Sequence, residues 1–315
     1  MLSSKCGFAT LLDPRGGRAG RGPALGALSK STSPLPRRWR DAVFAAVVCG
    51  ATGVVVLALG WILWDVVRQG ATQLSWDYLW SEPRQSGRAG GIAPILVSTL
   101  AVLLVALLSA VPLGVGAAVW LVEFGSRHRG TQASVRLALD ALAGVPSIVF
   151  GLFGSAFFSV FLGLGFSVLS GGLTLACMIL PIVIRTSEAG LSALPTDWRP
   201  SAAALGLTRT SALRHLLLPA AAPAIMAGVM LGIGRATAET AALIFTSGYV
   251  DRMPDSLLDS GRTLAVHIYD LAMNVAGGDR AAYASACVLV LLIVSINVLS
   301  SALAQGWMAR KISPS

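Results

Sequence analysis

Two oppositely charged residues interrupt a long apolar run in the C-terminal half of the chain. Arg235 and Glu239 lie between Leu216 and Phe245, four positions apart, so on a continuous helix they would share one face. A charged side chain facing lipid is costly, and both are therefore expected to face protein or a water-filled path. An arginine at this position would donate two hydrogen bonds in a fixed geometry to an oxyanion, and the glutamate would hold the arginine in place. A structural ion pair that locks this helix to its neighbours is the alternative.

Other residue patterns argue against catalysis in this chain. No G-x-x-x-x-G-K-[ST] phosphate-binding loop occurs, and Gly232-Ile233-Gly234 lacks the third glycine of a dinucleotide site. Neither a nucleophile–base pair nor a metal triad is found at membrane depth. The four cysteines and three histidines are scattered, without disulfide or zinc spacing. We therefore expect no enzyme activity, metal site or cofactor here. If ATP powers this protein, a separate ATPase subunit must bind the ATP and Mg²⁺.

The elements that position these residues follow from hydropathy. Hydrophobic residues make up 55% of the 315 and charged residues 12%, against roughly a quarter charged in a soluble domain. A helix needs roughly 20 apolar residues to cross a membrane. The chain is therefore predicted to be an all-α polytopic membrane protein with about six transmembrane helices. The predicted stretches are Ala42–Trp64, Ala89–Val122, Ala141–Ile184 (two spans with a turn at Gly163 and Gly165), Leu216–Phe245 and Ala281–Ala309.

The distribution of basic residues predicts the orientation of these helices. With the N-terminus inside, the inner segments carry 17 Lys and Arg residues and the outer segments 6, and basic residues are retained in the cytoplasm. Both termini are therefore predicted to be cytoplasmic in a bacterial inner membrane. Residues 1–40 are predicted to form a disordered basic tail. The apolar run after it exceeds a signal-peptide core, which indicates an uncleaved helix.

The segment 185–219 is too long for a minimal turn between the fourth and fifth predicted helices, which indicates that something docks there. Its middle contains good helix formers, then Gly206 as a break, then a second short amphipathic piece predicted to end at Pro219. Arg185 and Glu188 border this segment. They are predicted to mark its entrance or to contact a partner.

The spacing within this segment resembles the coupling-loop signature of bacterial ABC importer permeases. In that family the loop forms two short helices that sit in a cleft of the ATPase subunit. Pro200 stands where the family usually has the glutamate that opens the signature. The positions carried over from the family are Ala202, Gly206, Leu216, Leu218 and Pro219.

Further motifs resemble one subfamily, the phosphate permease subunits called PstA. They are Gly90-Gly91-Ile92-Ala93-Pro94, Leu142 to Gly151, Leu180 to Thr186, Arg235 to Ala241 and Leu264 to Tyr269. The resemblance covers residues 90–311 and implies an ABC type I importer core, with Arg235 and Glu239 in the phosphate pathway. It also implies four kinds of contact: a PstC-like second permease, two PstB-like ATPase subunits, a PstS-like periplasmic phosphate-binding protein and membrane lipid.

The predicted function is the transmembrane permease subunit of an ATP-driven phosphate importer, which forms the translocation path with a second permease subunit. Two alternatives stay open: a permease for another oxyanion such as phosphonate, sulfate or molybdate, and a secondary carrier or channel. The basic residues punctuate apolar runs, so no nucleic acid is expected as a partner. The predicted division is a tail at 1–40, a first span with a periplasmic segment at 41–88, and a permease core at 89–311.

Overall fold

The structure, a computed structural model, describes residues 35–125 and 129–312 and is mainly helical. The helices are α1 Leu35–Gly70, α2 Trp76–Trp80, α3 Ala93–Val119, α4 Arg129–Ala143, α5 Ser147–Gly154, α6 Val168–Ser192, α7 Trp198–Ala204, α8 Arg209–Ala212, α9 Leu218–Thr237, α10 Ala241–Ile244, α11 Leu264–Met273 and α12 Asp279–Ile312. The π-helical turn Trp120–Phe124 continues α3, Ser155–Phe161 continues α5, and Leu213–Leu217 joins α8 to α9. The strands β1 Pro83–Arg84 and β2 Ala89–Gly90 form a hairpin.

The described ranges contain five helices that are long and apolar enough to cross a membrane, or six spans when one bent pair is counted. This confirms the all-α, multi-span prediction. The chain divides into two compact units within α1, after Leu57. Residues 1–34 of the predicted tail lie outside the described residues, and α1 begins at Leu35, whereas the first span was predicted to begin at Ala42.

The third membrane crossing is shorter than the apolar stretch that was predicted to contain it. α4 and the helix Ser147–Phe161 meet at an angle of 103°. Pro146 disfavours helical backbone at Val145, so the bend falls between them. Gly163 and Gly165 adopt left-handed backbone, with φ of 70° and 62°, at the turn that the sequence predicted. α4 is therefore a separate amphipathic helix, and only residues 147–161 form the third crossing.

Small residues let α3 and α6 pack closely. A Cβ on Gly172 would lie 2.6 Å from Val105 Cβ, and one on Gly114 would lie 3.0 Å from Val183 Cβ. These contacts advance in the same direction along both helices, so α3 and α6 run parallel. Glycine at such contacts brings apolar helices together without a hydrophobic driving force. The chain must return between the two helices, and residues 147–161 provide that return.

The helix α9 packs on α6 in the opposite sense. Gly228 lies against Thr186, while Gly190 of α6 lies against Ala224, so the two helices are antiparallel. The C-terminal ends of α3 and α6 therefore meet the N-terminal end of α9, and we call this the coupling end. The opposite end of the core is called the far end below. The largest buried cluster lies between these helices and includes Val102, Ala106, Leu175, Ile179 and Ile233.

A tight hairpin lies at the far end, just before α3. β1 and β2 are antiparallel, and Gln85 and Ser86 between them have φ of 52° and 58°. Gly87 N donates a hydrogen bond of 3.0 Å to Arg84 O, which closes a type I′ turn. Left-handed backbone costs a residue with a Cβ about 1 kcal/mol. The turn is fixed by its surroundings, since a Cβ on Gly87 would lie 2.5 Å from the His267 ring.

Candidate functional site

The coupling end is built around the short helix α7. α6 continues to Ser192, so Arg185 and Glu188 belong to a helix and not to a loop that begins at 185. Gly206 has a φ of 78° and ends the turn after α7, where residues with a Cβ are disfavoured. The Thr208 hydroxyl then accepts a hydrogen bond of 3.2 Å from Ser211 N and caps α8. The segment therefore contains one free-standing short helix.

The prediction of a second short piece ending at Pro219 is wrong. α8, the π-helical turn and α9 form one continuous helix, Arg209–Thr237. The Leu218 N–H bonds to the Leu213 carbonyl, five residues back, immediately before a proline that has no N–H to donate. The wider turn accommodates the ring of Pro219 without ending the helix. Pro219 thus marks the place where the coupling segment joins the transmembrane helix.

Among the carried-over positions, Gly206 is exposed and the other four are buried or partly buried. Ala202 is buried, and Leu216 and Leu218 pack partly buried on a cluster that contains Leu121 and Leu191. Next to Gly206, Leu205 is 81% exposed and Leu207 44% exposed, and Arg209 is exposed as well. We call these three exposed residues the coupling surface. Exposed leucines next to a cation suit contact with another protein better than contact with water.

An ion pair links α7 to the end of α3. Arg199 Nη2 lies 2.7 Å from Glu123 Oε1, and Arg199 Nε lies 3.0 Å from the same oxygen. The same guanidinium donates a bond of 3.3 Å from Nη2 to the Leu191 carbonyl near the end of α6. The Glu123 side chain is 16% exposed and that of Arg199 31%. One arginine thus joins three helices that converge at this end.

A cavity of about 330 Å³ lies beside this pair. Its walls come from the π-helical turn after α3, from α7, and from the helix that begins at Arg209. Besides Glu123, Arg199 and Arg209, the walls contain Phe124, Ala202, Ala203, Leu207, Ala212, Leu213 and Leu217. α7 is therefore set apart from the core by open space on one side.

A second group of charges joins α4 to α6. Arg136 Nη2 lies 2.7 Å from Glu188 Oε1, and Arg185 Nη1 lies 3.2 Å from Glu188 Oε2. Arg185 also pairs with Asp140 and donates a bond of 2.9 Å to the Arg136 carbonyl. The Glu188 side chain is only 10% exposed and both its oxygens are engaged. Its geometry is therefore that of an anchor between two helices, not of a contact on the docking surface.

The structure does not bring Arg235 and Glu239 together on one helix. α9 ends at Thr237, short of the predicted Phe245, and Glu239 lies in the break before α10. Glu239 Oε1 accepts a bond of 3.3 Å from Ala242 N. Arg235 is exposed, and within residues 35–125 and 129–312 it forms no ion pair. The i,i+4 argument fails because the helix stops between the two residues.

The far end contains a buried polar cluster centred on Arg262. Arg262 Nε donates to the Tyr249 carbonyl at 2.8 Å, and its Nη1 lies 3.2 Å from Asp270 Oδ2 and 3.4 Å from His267 Nδ1. Because arginine only donates, Nδ1 accepts and the His267 proton is on Nε2. His267 is fully buried, and burial lowers its pKa to about 4, with the Arg262 charge adding to the effect.

Sequence reasoning singled out neither the Glu123–Arg199 pair nor Arg262. Glu123 is the first charge after the apolar run Ala89–Val122, which is the one signal that points to it. Its partner lies 76 positions away along the chain. Only the parallel packing of α3 and α6 brings the two together.

Comparisons with known proteins agree with this architecture. Residues 110–313 match the family described as binding-protein-dependent transport system inner membrane component. The probable ABC transporter permease protein YqgI of Bacillus subtilis (strain 168) is 29% identical over 284 residues, covering 86% of this chain and 92% of that protein. The phosphate transport system permease protein PstA 1 of Mycobacterium tuberculosis (strain CDC 1551 / Oshkosh) is 30% identical over 275 residues, covering 85% and 89%.

The fold is also found in a solved structure. A bacterial ABC transporter involved in the import of the acidic polysaccharide alginate superposes with a TM-score of 0.61 at 14% identity, covering 88% of this chain and all of the matched chain. The family match includes the end of α3, the coupling segment and α9. This chain belongs to the family of binding-protein-dependent transport system inner membrane components, the multi-pass permeases of ABC importers.

Proposed function

We propose that this chain is the transmembrane permease subunit of an ATP-driven importer of inorganic phosphate. The coupling end carries the proposal: α7 lies beside the cavity, and the turn that follows it exposes Leu205 and Leu207 where three transmembrane helices converge. A secondary carrier or channel has no need of such a surface. The assignment of phosphate rests on the relatives, several of which are named PstA phosphate permeases.

The energy source is a separate subunit. The sequence has no phosphate-binding loop, so ATP and Mg²⁺ belong to PstB-like ATPase subunits that dock on the coupling surface. A PstC-like permease completes the path, and a PstS-like binding protein delivers phosphate at the far end. Closure and opening of the ATPase pair would switch the two permeases between outward-facing and inward-facing states. This arrangement places both termini in the cytoplasm of a bacterial cell.

Arg235 is our candidate for a phosphate contact along the path. Its guanidinium lies at the end of α9 and is exposed, without an ion pair in the described part of the chain. An unpaired arginine fork in a partly dehydrated path binds an oxyanion through two parallel bonds. Glu239 holds the backbone turn to α10 through its bond to Ala242 N. Its role is to fix the turn that aims Arg235.

The test is uptake of radiolabelled phosphate by cells that lack this gene and carry the native chain or Arg235→Ala, with sulfate as competitor. We expect the native chain to restore uptake that sulfate does not reduce, and the variant to fail at normal membrane levels. Arg280→Ala removes an exposed arginine from α12 and is the matched control, which should leave uptake unchanged. Copurification with the ATPase separates a path defect from a coupling defect. An equal rate of phosphate uptake with and without the gene would contradict the substrate assignment.

A further inference from the structure

The helix α7 is attached to the rest of the protein by few side chains. Pro200, Ser201 and the residues from Ala203 to Thr210 are all exposed. Three residues on one face of the helix turn inward: Trp198 packs on the neighbouring apolar cluster, Arg199 makes the ion pair, and Ala202 is buried. The cavity beside them removes part of the packing that would otherwise fix the helix. The position of α7 therefore depends strongly on Arg199.

The partner of Arg199 lies on a helix to which α7 has no nearby covalent link. The backbone connects α7 directly to α6 and to the helix that begins at Arg209. α3 is different, because Glu123 is 76 positions from Arg199 in the sequence. Glu123 accepts from both Nε and Nη2 of Arg199, so the contact fixes direction as well as distance. This pair thus connects α7 to α3 by a contact that the backbone does not provide.

The backbone at both sides of the cavity departs from regular α-helix. Glu123 lies in the π-helical turn Trp120–Phe124, and the facing wall comes from the π-helical turn Leu213–Leu217. A π-helical turn is tolerated in short pieces and occurs frequently at functional sites. In the first of these turns Gly125 N–H bonds to the Trp120 carbonyl. The extra residue in that turn changes the direction of Glu123 relative to the regular helix α3.

We propose that Glu123 is the positioning residue that couples α7 to α3, so that movement of the ATPase subunits reaches the translocation helices as one rigid displacement. The proposal deepens the proposed function and rests on it. Glu123 lies outside the coupling segment, and its side chain pairs with Arg199. It acts through Arg199, whose guanidinium also holds the end of α6 through the Leu191 carbonyl.

The first experiment measures phosphate uptake per ATP hydrolysed by the purified, complete transporter in proteoliposomes. Glu123→Gln keeps the size of the side chain and removes its charge. We expect ATP hydrolysis to continue while uptake per ATP falls about tenfold, because one charge-assisted contact is lost. Arg199→Lys keeps the charge without the fork and should lie between. The exchange Glu123→Arg with Arg199→Glu should recover part of the ratio. Asp65→Asn, the same chemical change in α1, is the matched control.

A second measurement needs no transported substrate. Spin labels at Ala203 and Leu113, in a chain whose four cysteines are replaced by alanine, report the distance between α7 and α3. We expect this distance to be equal in nucleotide-free and ATP-trapped native complexes, and to change between these states in Glu123→Gln. A native uptake ratio in Glu123→Gln, equal loss of hydrolysis and uptake in an assembled complex, or a distance that stays constant in the variant would each overturn the proposal. A native complex that imports only another oxyanion would overturn the phosphate assignment alone.

Discussion

The two ends of the helical core use charged residues in opposite ways. At the coupling end the ion pairs are partly exposed, and a cavity adjoins one of them. At the far end Arg262 and His267 are buried, and the guanidinium bonds to a carbonyl, a carboxylate and an imidazole. Fully exposed ion pairs contribute little stability, whereas buried ones are costly to break; the carboxylates of Glu123 and Glu188 at the coupling end are mostly buried, at 16% and 10% exposed. The buried far-end contacts thus hold one local site, whereas the coupling-end pairs join separate helices, so that α7 moves together with the helices to which it is paired.

The largest effect on stability is expected from Arg262→Ala. The change leaves Asp270 and His267 without their shared partner in a buried site, and breaking a buried pair in this way costs about 3 to 5 kcal/mol. Thermal unfolding of the purified protein in detergent measures the loss. Arg252→Ala removes an arginine that is 59% exposed in the same connection between α10 and α11 and should cost less than about 1 kcal/mol. Equal losses would contradict the contrast between buried and exposed charges.

Removal of the Glu188 charge should have the next largest effect. Glu188→Gln leaves Arg136 and Arg185 facing an amide, and hydrogen bonds to charged groups are worth about 1.5 to 3 kcal/mol. Asp140→Asn is the comparison within the same cluster, since its side chain is 68% exposed and the expected loss is below about 1 kcal/mol. Both are read from thermal unfolding. If Asp140→Asn lowered thermal stability more than Glu188→Gln, the exposed fraction of a carboxylate would not determine its contribution to stability at the coupling end.

The far end should also be sensitive to acid. The pKa of His267 is about 4 in the fold, against about 6.5 when unfolded. The neutral form is favoured by folding, so this stability is complete above pH 6.5 and is lost as the pH falls toward 4. The loss reaches about 2 kcal/mol at pH 5. His267→Gln keeps an acceptor for Arg262 and should flatten the decline in thermal stability between pH 7 and pH 5; an unchanged slope would assign the acid sensitivity elsewhere.

The smallest effect on stability is expected where a partner binds. Leu205→Ser together with Leu207→Ser changes side chains that are already exposed, and such substitutions shift stability by about 0.5 kcal/mol or less. Copurification of the ATPase subunit should nevertheless be lost, because these leucines form the coupling surface. Leu104→Ser, at an exposed position on α3, is the control for loss of a leucine. If the double variant still copurified with the ATPase subunit, the coupling surface would not be part of the docking interface.

Sequence reasoning succeeded where a single local signal governs the structure. Apolar length predicted the number of spans, and two glycines predicted the turn before α6. It failed where the outcome depends on distant residues. Residues 141–146 continue an apolar run, but Pro146 and the packing of α4 on α6 bend the chain there. Arg235 and Glu239 have helical spacing, yet the helix ends between them, because α10 turns away to pack on α5 where Gly151 leaves no room for a Cβ beside Ala242.

The bend between α4 and α5 has a consequence for the surrounding lipid. The part of the third crossing after the bend contains only residues 147–161. Even at the α-helical rise these residues would span at most roughly 22 Å, less than the hydrocarbon layer of about 30 Å. A helix this short produces hydrophobic mismatch, which the bilayer relieves by thinning locally. We therefore expect headgroups and water to reach inward toward Pro146 on the α4 side.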